Sequence, residues 1–329
     1  MRWTLAVWMG AMGMLAQAAP EKMRAVEVRA SGALTVETRP VPRPGPGEVL
    51  VRVRAAGVNP VDWKAAVRRL GMVPGTDVSG TIDSLGEGVT DWKVGEPVLG
   101  FARQSGSYAE YAVIPVNALA RKPRSLSYEQ AAGVPIAGET AYRALHEVAK
   151  IERGQTVLIH GAAGGVGSAA VQIAKAAGAR VIGTASPDHH AFLKSLGVEQ
   201  VIDYRTQRFE DAVKDVDVVL NTVDAETAAR STSVIREGGM LVSIVGPIDV
   251  ARCAAAKIRC GRPERDKGAT NAELLARVVE LADAGKFTVN VDEVFPMADA
   301  GRAWEKSRAG HTRGKLIIRV SEGPTMKHQ

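Results

Sequence analysis

The clearest chemistry in this chain lies in residues 156–186, TVLIHGAAGGVGSAAVQIAKAAGARVIGTAS. An apolar run leads into Gly161-Ala162-Ala163-Gly164-Gly165-Val166-Gly167, and an alanine-rich stretch follows. Where side chains are missing, backbone N–H groups can approach a pyrophosphate, and the N-terminus of the next helix favours its negative charge. A glycine cluster alone is weak. Its bland reading is a tight strand-to-helix turn. Here it has a strand before it, a helix after it and a second strand at the right distance, which together read as a dinucleotide site.

The end of that second strand distinguishes the two nicotinamide dinucleotides. NAD sites usually place Asp or Glu there, on the ribose 2′-hydroxyl. This strand ends Gly183-Thr184-Ala185-Ser186, and Asp188 comes later, as a helix-start residue favoured by the dipole. A carboxylate would repel a 2′-phosphate, so its absence favours NADPH. Ser186, His190, Tyr204 and Arg205 are the candidates to receive the phosphate.

The elements that must hold this site fall into two patterns. From residue 23 to about 128, short strand-like runs alternate with glycine and proline turns. Pro40, Pro42, Pro44, Gly45, Pro46 and Gly47 mark an irregular loop. Residues 48–55, EVLVRVRA, alternate apolar and charged side chains, as a half-buried strand does. Further strands are expected at 78–85, 98–101 and 107–114. From residue 128 the pattern changes. Residues 128–145 read as helix, interrupted near Pro135. Strands at 156–160, 181–184, 201–202, 216–220 and 240–245 then alternate with helices, including 166–177 and 189–196. Repeated βα units imply a parallel sheet covered by helices. A long amphipathic helix is expected at 271–284, and strand, helix and strand at 289–320.

Length and composition fit this division. The chain has 329 residues, 46% hydrophobic and 24% charged, which suits a globular protein of two domains. The net charge of +6 is scattered, with no basic run and no interleaved aromatics to track a nucleic acid, so no nucleic-acid partner is expected. Only two cysteines exist, Cys253 and Cys260. They allow one disulfide, but nothing demands it. Their number and spacing do not suit a cysteine zinc site, so no metal is expected.

Residues 1–22 stand apart as a signal-like or non-native extension. Arg2 precedes an uncharged, mostly apolar stretch, and Ala16-Gln17-Ala18 matches a small-x-small cleavage pattern before Ala19 or Pro20. The stretch is short for a transmembrane helix, so no integral span is expected. Two readings stay open: export to the periplasm through a cleaved leader, or translation from Met23 and a cytoplasmic protein.

The chain from Met23 to about Val320 resembles the zinc-independent quinone oxidoreductase branch of the medium-chain dehydrogenase/reductase superfamily. The resemblance rests on Ala56-Gly57-Val58-Asn59-Pro60-Val61-Asp62, Gly75-Thr76-Asp77-Val78-Ser79-Gly80, Gly95-Glu96-Pro97-Val98, Tyr108-Ala109-Glu110-Tyr111, the glycine-rich turn, Val201-Ile202-Asp203-Tyr204 and Arg313-Gly314-Lys315, in that order. It implies an α/β protein with a GroES-like β-rich catalytic domain, residues 23–142 and 289–322, around an inserted Rossmann doubly wound parallel-sheet domain, residues 143–288, with a tail at 323–329. Zinc members carry Cys where this chain has Asn59, and His-Glu where it has Thr76-Asp77. They also have a four-cysteine lobe that is missing here.

Carried over residue by residue, the resemblance places Asn59 beside nicotinamide and substrate, with Asp62 ordering the nearby loop and Thr140 at the nicotinamide end. Gly161, Ala163, Gly164, Gly165, Val166 and Gly167 would hold the pyrophosphate. Ser186 and Tyr204 would meet the 2′-phosphate, with Arg205 adjacent and His190 where many members have Lys. Val245 completes the expected cofactor set. Lys64 stands where some quinone reductases have tyrosine, so Asn59, Asp62 and Lys64 form the expected catalytic group. Tyr108 and Tyr111 read equally well as strand packing. Residues 251–269 lack the apolar strand expected at the edge of the parallel sheet, where family members often form homodimers. The expected activity is metal-free hydride transfer from NADPH to a quinone or an α,β-unsaturated carbonyl, with Asn59 as the first choice of donor to the developing oxyanion. An enoyl or alkenal reductase, and a non-catalytic NADPH-binding redox sensor, are the alternatives.

Overall fold

The computed structural model describes residues 19–65, 70–102, 104, 106–264 and 268–321. Residues 1–18 of the expected leader and the expected tail at 323–329 lie outside them.

The first part of the chain is β-rich. Strands β1 (Lys22–Val28) and β2 (Leu34–Pro40) form an antiparallel hairpin. Strand β3 (Glu48–Val58) is followed by the short helix α1 (Pro60–Lys64). Then come β4 (Asp77–Leu85), β5 (Pro97–Phe101), β6 (Tyr111–Pro115) and β7 (Leu119–Arg121). In β3, Arg52 and Arg54 stay half-exposed while the alternate valines are buried. The alternation stops at Ala55 because helix α2 (Tyr128–Ala132) covers the strand end. The approach is close: a Cβ on Gly57 would lie 2.4 Å from the Ala132 carbonyl oxygen. The strand expected at 107–114 is shorter than its pattern, since the N–H groups of Ser107 and Tyr108 both turn to the Pro74 carbonyl.

The expected helix at 128–145 is three pieces: α2, then α3 (Pro135–Tyr142), then a π-helical turn Arg143–Val148. Buried Arg143 ties this region together, donating to Glu139, Glu147 and the Ala269 carbonyl.

Alternating units follow: β8 (Thr156–His160), α4 (Gly165–Ala176), β9 (Arg180–Ala185), α5 (His190–Ser195), β10 (Gln200–Asp203), α6 (Phe209–Ala212), β11 (Val216–Asn221), α7 (Ala225–Ser231), β12 (Ile235–Ser243), α8 (Val250–Ala255) and β13 (Arg259–Gly261). These strands form one parallel sheet in the order β10-β9-β8-β11-β12-β13. That is the Rossmann order, and its direction reverses between β8 and β11, where the carboxyl ends of the strands open a crevice. Strand β13 corrects the reading of residues 251–269. An edge strand is present, three residues long, invisible as an apolar run because Arg259 is exposed and Gly261 has no side chain. The optional disulfide is also present, joining Cys253 on α8 to Cys260 on β13.

The chain then forms α9 (Asn271–Asp283), which packs on α3. It returns through β14 (Val291–Pro296), α10 (Ala300–Ala309) and β15 (Lys315–Arg319). Strand β15 pairs antiparallel with the end of β3, with Leu316 opposite Val58. The last strand of the fold therefore joins the first β-rich sheet, in the order β14-β15-β3-β4-β5-β7. This pairing carries Lys315 to Asn59, 256 positions away in sequence.

Candidate active site

A cleft of about 1010 Å³ is lined by both halves of the molecule. One wall is the glycine-rich turn and the carboxyl ends of β8, β9, β11 and β12. The other comes from β3, α1, α3 and the loop before β15.

The turn is shaped by two close approaches. Gly161 has φ of +66°, a left-handed conformation that glycine adopts freely, and a Cβ there would lie 2.6 Å from Thr222 Oγ1. A Cβ on Gly167 would lie 2.2 Å from the Gly161 carbonyl oxygen, so α4 could not pack this tightly on β8 with any other residue. Gly164 caps α4 and lines the cleft, where a Cβ would meet nothing closer than 3.5 Å. The first N–H groups of α4 have no partners within the helix and suit an anion. The loop before β15 is latched here, with Gly314 N–H donating to the Ala163 carbonyl at 2.8 Å.

Behind the turn, His160 is buried and its pKa is lowered to about 4, first by burial and then by the nearby charge of Arg230. Ser231 Oγ donates to the Thr227 carbonyl, so it accepts from His160 Nε2; Nδ1 then accepts from Thr184, whose oxygen also takes the Gly161 N–H. The neutral ring thus orders the turn through Thr184.

Just beyond the ends of β9 and β10, Ser186 and Tyr204 line the cleft, and Asp188 does not. His190 and Arg205 are not among the lining residues. His189 is, and Arg205 instead lies with its guanidinium 5.9 Å from the Tyr204 ring centre. The buried Nδ1 of His189 has no hydrogen-bond partner among the described residues. Thr140 and Val245 line the cleft.

The floor was only partly legible. Asn59 and Lys315 line it, with Asp77 against them, and all three are buried. Asn59 Nδ2 donates to Asp77 Oδ2 at 2.9 Å, and its Oδ1 accepts from Lys315 Nζ at 2.5 Å. Lys315 Nζ also donates to the Val58 carbonyl at 2.9 Å and lies 3.8 Å from Asp77 Oδ2. The Asp77 carboxylate accepts the Ile136 N–H as well. Burial pulls the Lys315 pKa down, and the charges of Asp77 and Asp62 oppose that pull. Lys315 carried no assigned role in the sequence. Its signal was a lysine opening a strand with an apolar centre, KLIIR, directly after a glycine.

Asp62 does not line the cleft. It lies beneath Asn59, accepting the Asn59 N–H and the Tyr108 hydroxyl at 2.9 Å each. Trp304 Nε1 donates to the same hydroxyl at 3.3 Å, which links α10 to this layer. Burial raises Asp62 from 3.8 to about 7; the Asn59 hydrogen bond opposes the rise and Asp77 adds to it. Tyr108 is a member of this network rather than strand packing alone, and burial with Asp62 beside it pushes its pKa well up. Lys64 sits at the mouth, exposed, with its ammonium 5.3 Å from the Trp63 ring centre. The described residues contain no group of three or more His, Cys, Asp or Glu side chains that could hold a metal ion.

Comparison with known proteins agrees with this geometry. Residues 45–124 match the alcohol dehydrogenase GroES-like domain, and residues 196–318 match the family described as zinc-binding dehydrogenase. The chain is 32% identical over 301 residues to a chloroplast envelope quinone oxidoreductase homolog of Arabidopsis thaliana, covering 85% of this chain and 92% of that protein. It is 33% identical to the 2-methylene-furan-3-one reductase of Solanum lycopersicum, over 82% of this chain and 71% of that one. The solved quinone oxidoreductase of Coxiella burnetii superposes with a TM-score of 0.83 at 32% identity, over 91% of this chain and all of that one. The chain belongs to the medium-chain dehydrogenase/reductase superfamily, among its quinone oxidoreductase-like members, and is an oxidoreductase.

Proposed function

We propose that this protein transfers hydride from NADPH, without a metal, to quinones or α,β-unsaturated carbonyl compounds. One observation carries the reading. The side-chain-free turn at 161–167 faces, across one cleft, a floor of Asn59 and Lys315 with Asp77 against them, and Asn59 and Thr76-Asp77 occupy the positions where zinc members of the family carry metal ligands. The residues fit the dinucleotide. The α4 N-terminus and turn amides suit the pyrophosphate, Ser186 and Tyr204 suit the 2′-phosphate, and the unpartnered His189 Nδ1 lies on the same wall. The tip of β9 carries no carboxylate to repel that phosphate. The named substrates of the relatives, a quinone and an exocyclic enone, are both electron-poor carbonyl systems.

Bound NADPH supplies the hydride. The chain's part is to hold the reactants face to face, exclude water and offer hydrogen-bond donors where negative charge develops. Thr140 on α3 and Val245 after β12 narrow the cleft from opposite sides, and Lys64 at the mouth meets the substrate as it enters. The test is stopped-flow oxidation of NADPH, with NADH in parallel, against a panel of quinones and enones. NADPH consumption that survives prolonged chelation is expected. No consumption with either class, or tightly bound zinc in the purified protein, would overturn the reading.

A further inference from the structure

The hydrogen-bond inventory of the cleft floor separates its two lining polar residues. Asn59 is held from three sides: its Nδ2 donates to Asp77 Oδ2 at 2.9 Å and makes a long contact with the Gly57 carbonyl at 3.5 Å, and its Oδ1 faces Lys315. Lys315 differs. An ammonium carries three donors. Two go to Val58 O and Asn59 Oδ1, while Asp77 at 3.8 Å is an ion-pair partner beyond hydrogen-bond reach. One N–H of a buried, cleft-lining ammonium therefore has no acceptor within 3.5 Å among the described residues, and Asp77 Oδ2 is its nearest charge partner.

We propose that Lys315 is a catalytic residue, its third N–H donating to the substrate's carbonyl oxygen, and that Asn59 and Asp77 are the positioning residues that aim it. This rests on the reductase reading above. When hydride adds to the β-carbon of a bound enone, a C–H bond forms there and the C=C pair shifts toward the carbonyl carbon. The C=O π pair ends on oxygen, giving an enolate. The substrate gains the two electrons that the dinucleotide loses, and water later protonates the α-carbon. The negative charge appears on oxygen, where a fixed ammonium out of bulk water acts most strongly. For a quinone the same contact meets the phenolate oxygen of the half-protonated quinol. Asp77 keeps the lysine charged and, with Asn59, fixes its direction.

A phenolate probes this without turnover. We would titrate 4-nitrophenol into the protein saturated with NADP+, below the phenol's solution pKa, and follow its absorbance. Wild-type protein is expected to bind the yellow phenolate, and Lys315→Met the colourless phenol. Removing Lys315 strands buried Asp77, so the charge-neutral pair Asp77→Asn/Lys315→Met is measured as well. In both variants kcat with an enone is expected to fall about 10²–10³-fold, as for loss of an oxyanion donor, while NADPH affinity by fluorescence stays within about threefold of wild type, far less than the tenfold that 1.4 kcal/mol would produce. Wild-type protein that binds only the phenol, or neither form, overturns the proposal. So does a folded double variant that keeps the phenolate colour or the rate. Failure of the reductase reading looks different: wild-type protein would then consume no NADPH with any acceptor, whatever colour the nitrophenol takes.

Discussion

A Cβ placed on Gly165 would lie 2.9 Å from Cδ of Lys315. The second glycine of the Gly164-Gly165 pair thus makes room for the lysine stem. The two walls of the cleft touch at this point, and the cofactor turn and the substrate floor share one packing contact.

That contact predicts the outcome of Gly165→Ala. The methyl must push the Lys315 stem, whose far end is held by Val58 and Asn59. Overpacking of this kind costs about 1–3 kcal/mol. Because the ammonium is held at its far end, displacing the stem moves it, and we expect both a lower melting temperature and a lower kcat. Gly164→Ala, where no protein atom lies closer than 3.5 Å, should spare stability and weaken NADPH binding. Thermal melts beside fluorescence titrations separate the two effects. Equal behaviour of the two variants would remove the distinction.

Much of this site was legible because the required chemistry was local. The turn at 161–167 is contiguous, and its flanking strand and helix declare themselves by their apolar pattern. Asn59 and Asp62 lie three residues apart and were found through one motif. Lys315 was not assigned a role, because its function depends on β15 pairing with β3, a contact across most of the chain. Tyr108 was ambiguous for a similar reason: its hydroxyl matters only because Asp62 and Trp304 come from distant segments to meet it. Strand β13 was missed because three residues with one exposed arginine carry no periodic signal. His190 was chosen by motif position; its neighbour His189, in the short turn Pro187–His189, lines the cleft, and the buried His190 Nε2 has no hydrogen-bond partner among the described residues.

The Ser186 position predicts cofactor preference. Wild-type protein should bind NADPH more tightly than NADH. Ser186→Asp places a carboxylate where the 2′-phosphate is expected, and the like charges should weaken NADPH binding at least tenfold, about 1.4 kcal/mol. NADH binding should hold or improve, since the new carboxylate can accept from a 2′-hydroxyl. Paired fluorescence titrations measure both. Equal wild-type affinities for the two dinucleotides would refute the assignment of this strand tip.

Asp62 predicts a pH dependence of stability. Its pKa is raised on folding from 3.8 to about 7, mainly by burial. Between those values the folded state binds the proton more tightly than the unfolded chain does. The contribution is therefore full at pH below about 4 and is lost as pH rises to about 7, and a shift of this kind corresponds to a few kcal/mol, roughly 1.4 per unit. Asp62→Asn keeps an oxygen to accept from Asn59 N–H and Tyr108, and cannot titrate. Urea melts from pH 4 to 8 should show a decline with pH in wild-type protein that is flattened in the variant. Parallel profiles would mean that Asp62 is not the group responsible.

The Cys253–Cys260 disulfide predicts where the fold is weakest and bears on where the protein works. Strand β13 has three residues, paired to β12 on one side and, among the described residues, to no strand on the other. The disulfide, the partly buried Cys260 side chain and the hydrogen bond from Ile258 N–H to the Cys253 carbonyl tie this edge to α8. Closing so short a loop is worth about 2 kcal/mol by the chain-entropy account. The double variant Cys253→Ala/Cys260→Ala should therefore lower stability by about that amount. It should also speed amide exchange at Arg259–Gly261 while leaving β8 and β9, at the sheet centre, protected. A disulfide of this kind persists in oxidising compartments and is rare in a reducing cytosol. If export through the leader is the correct reading, protein recovered from its own cell should start at Ala19 or Pro20 and be oxidised; if translation starts at Met23, it should carry two free thiols. N-terminal sequencing with thiol alkylation and mass measurement decides between these. Fully reduced protein starting at Ala19 or Pro20 would break the link between the bond and the compartment.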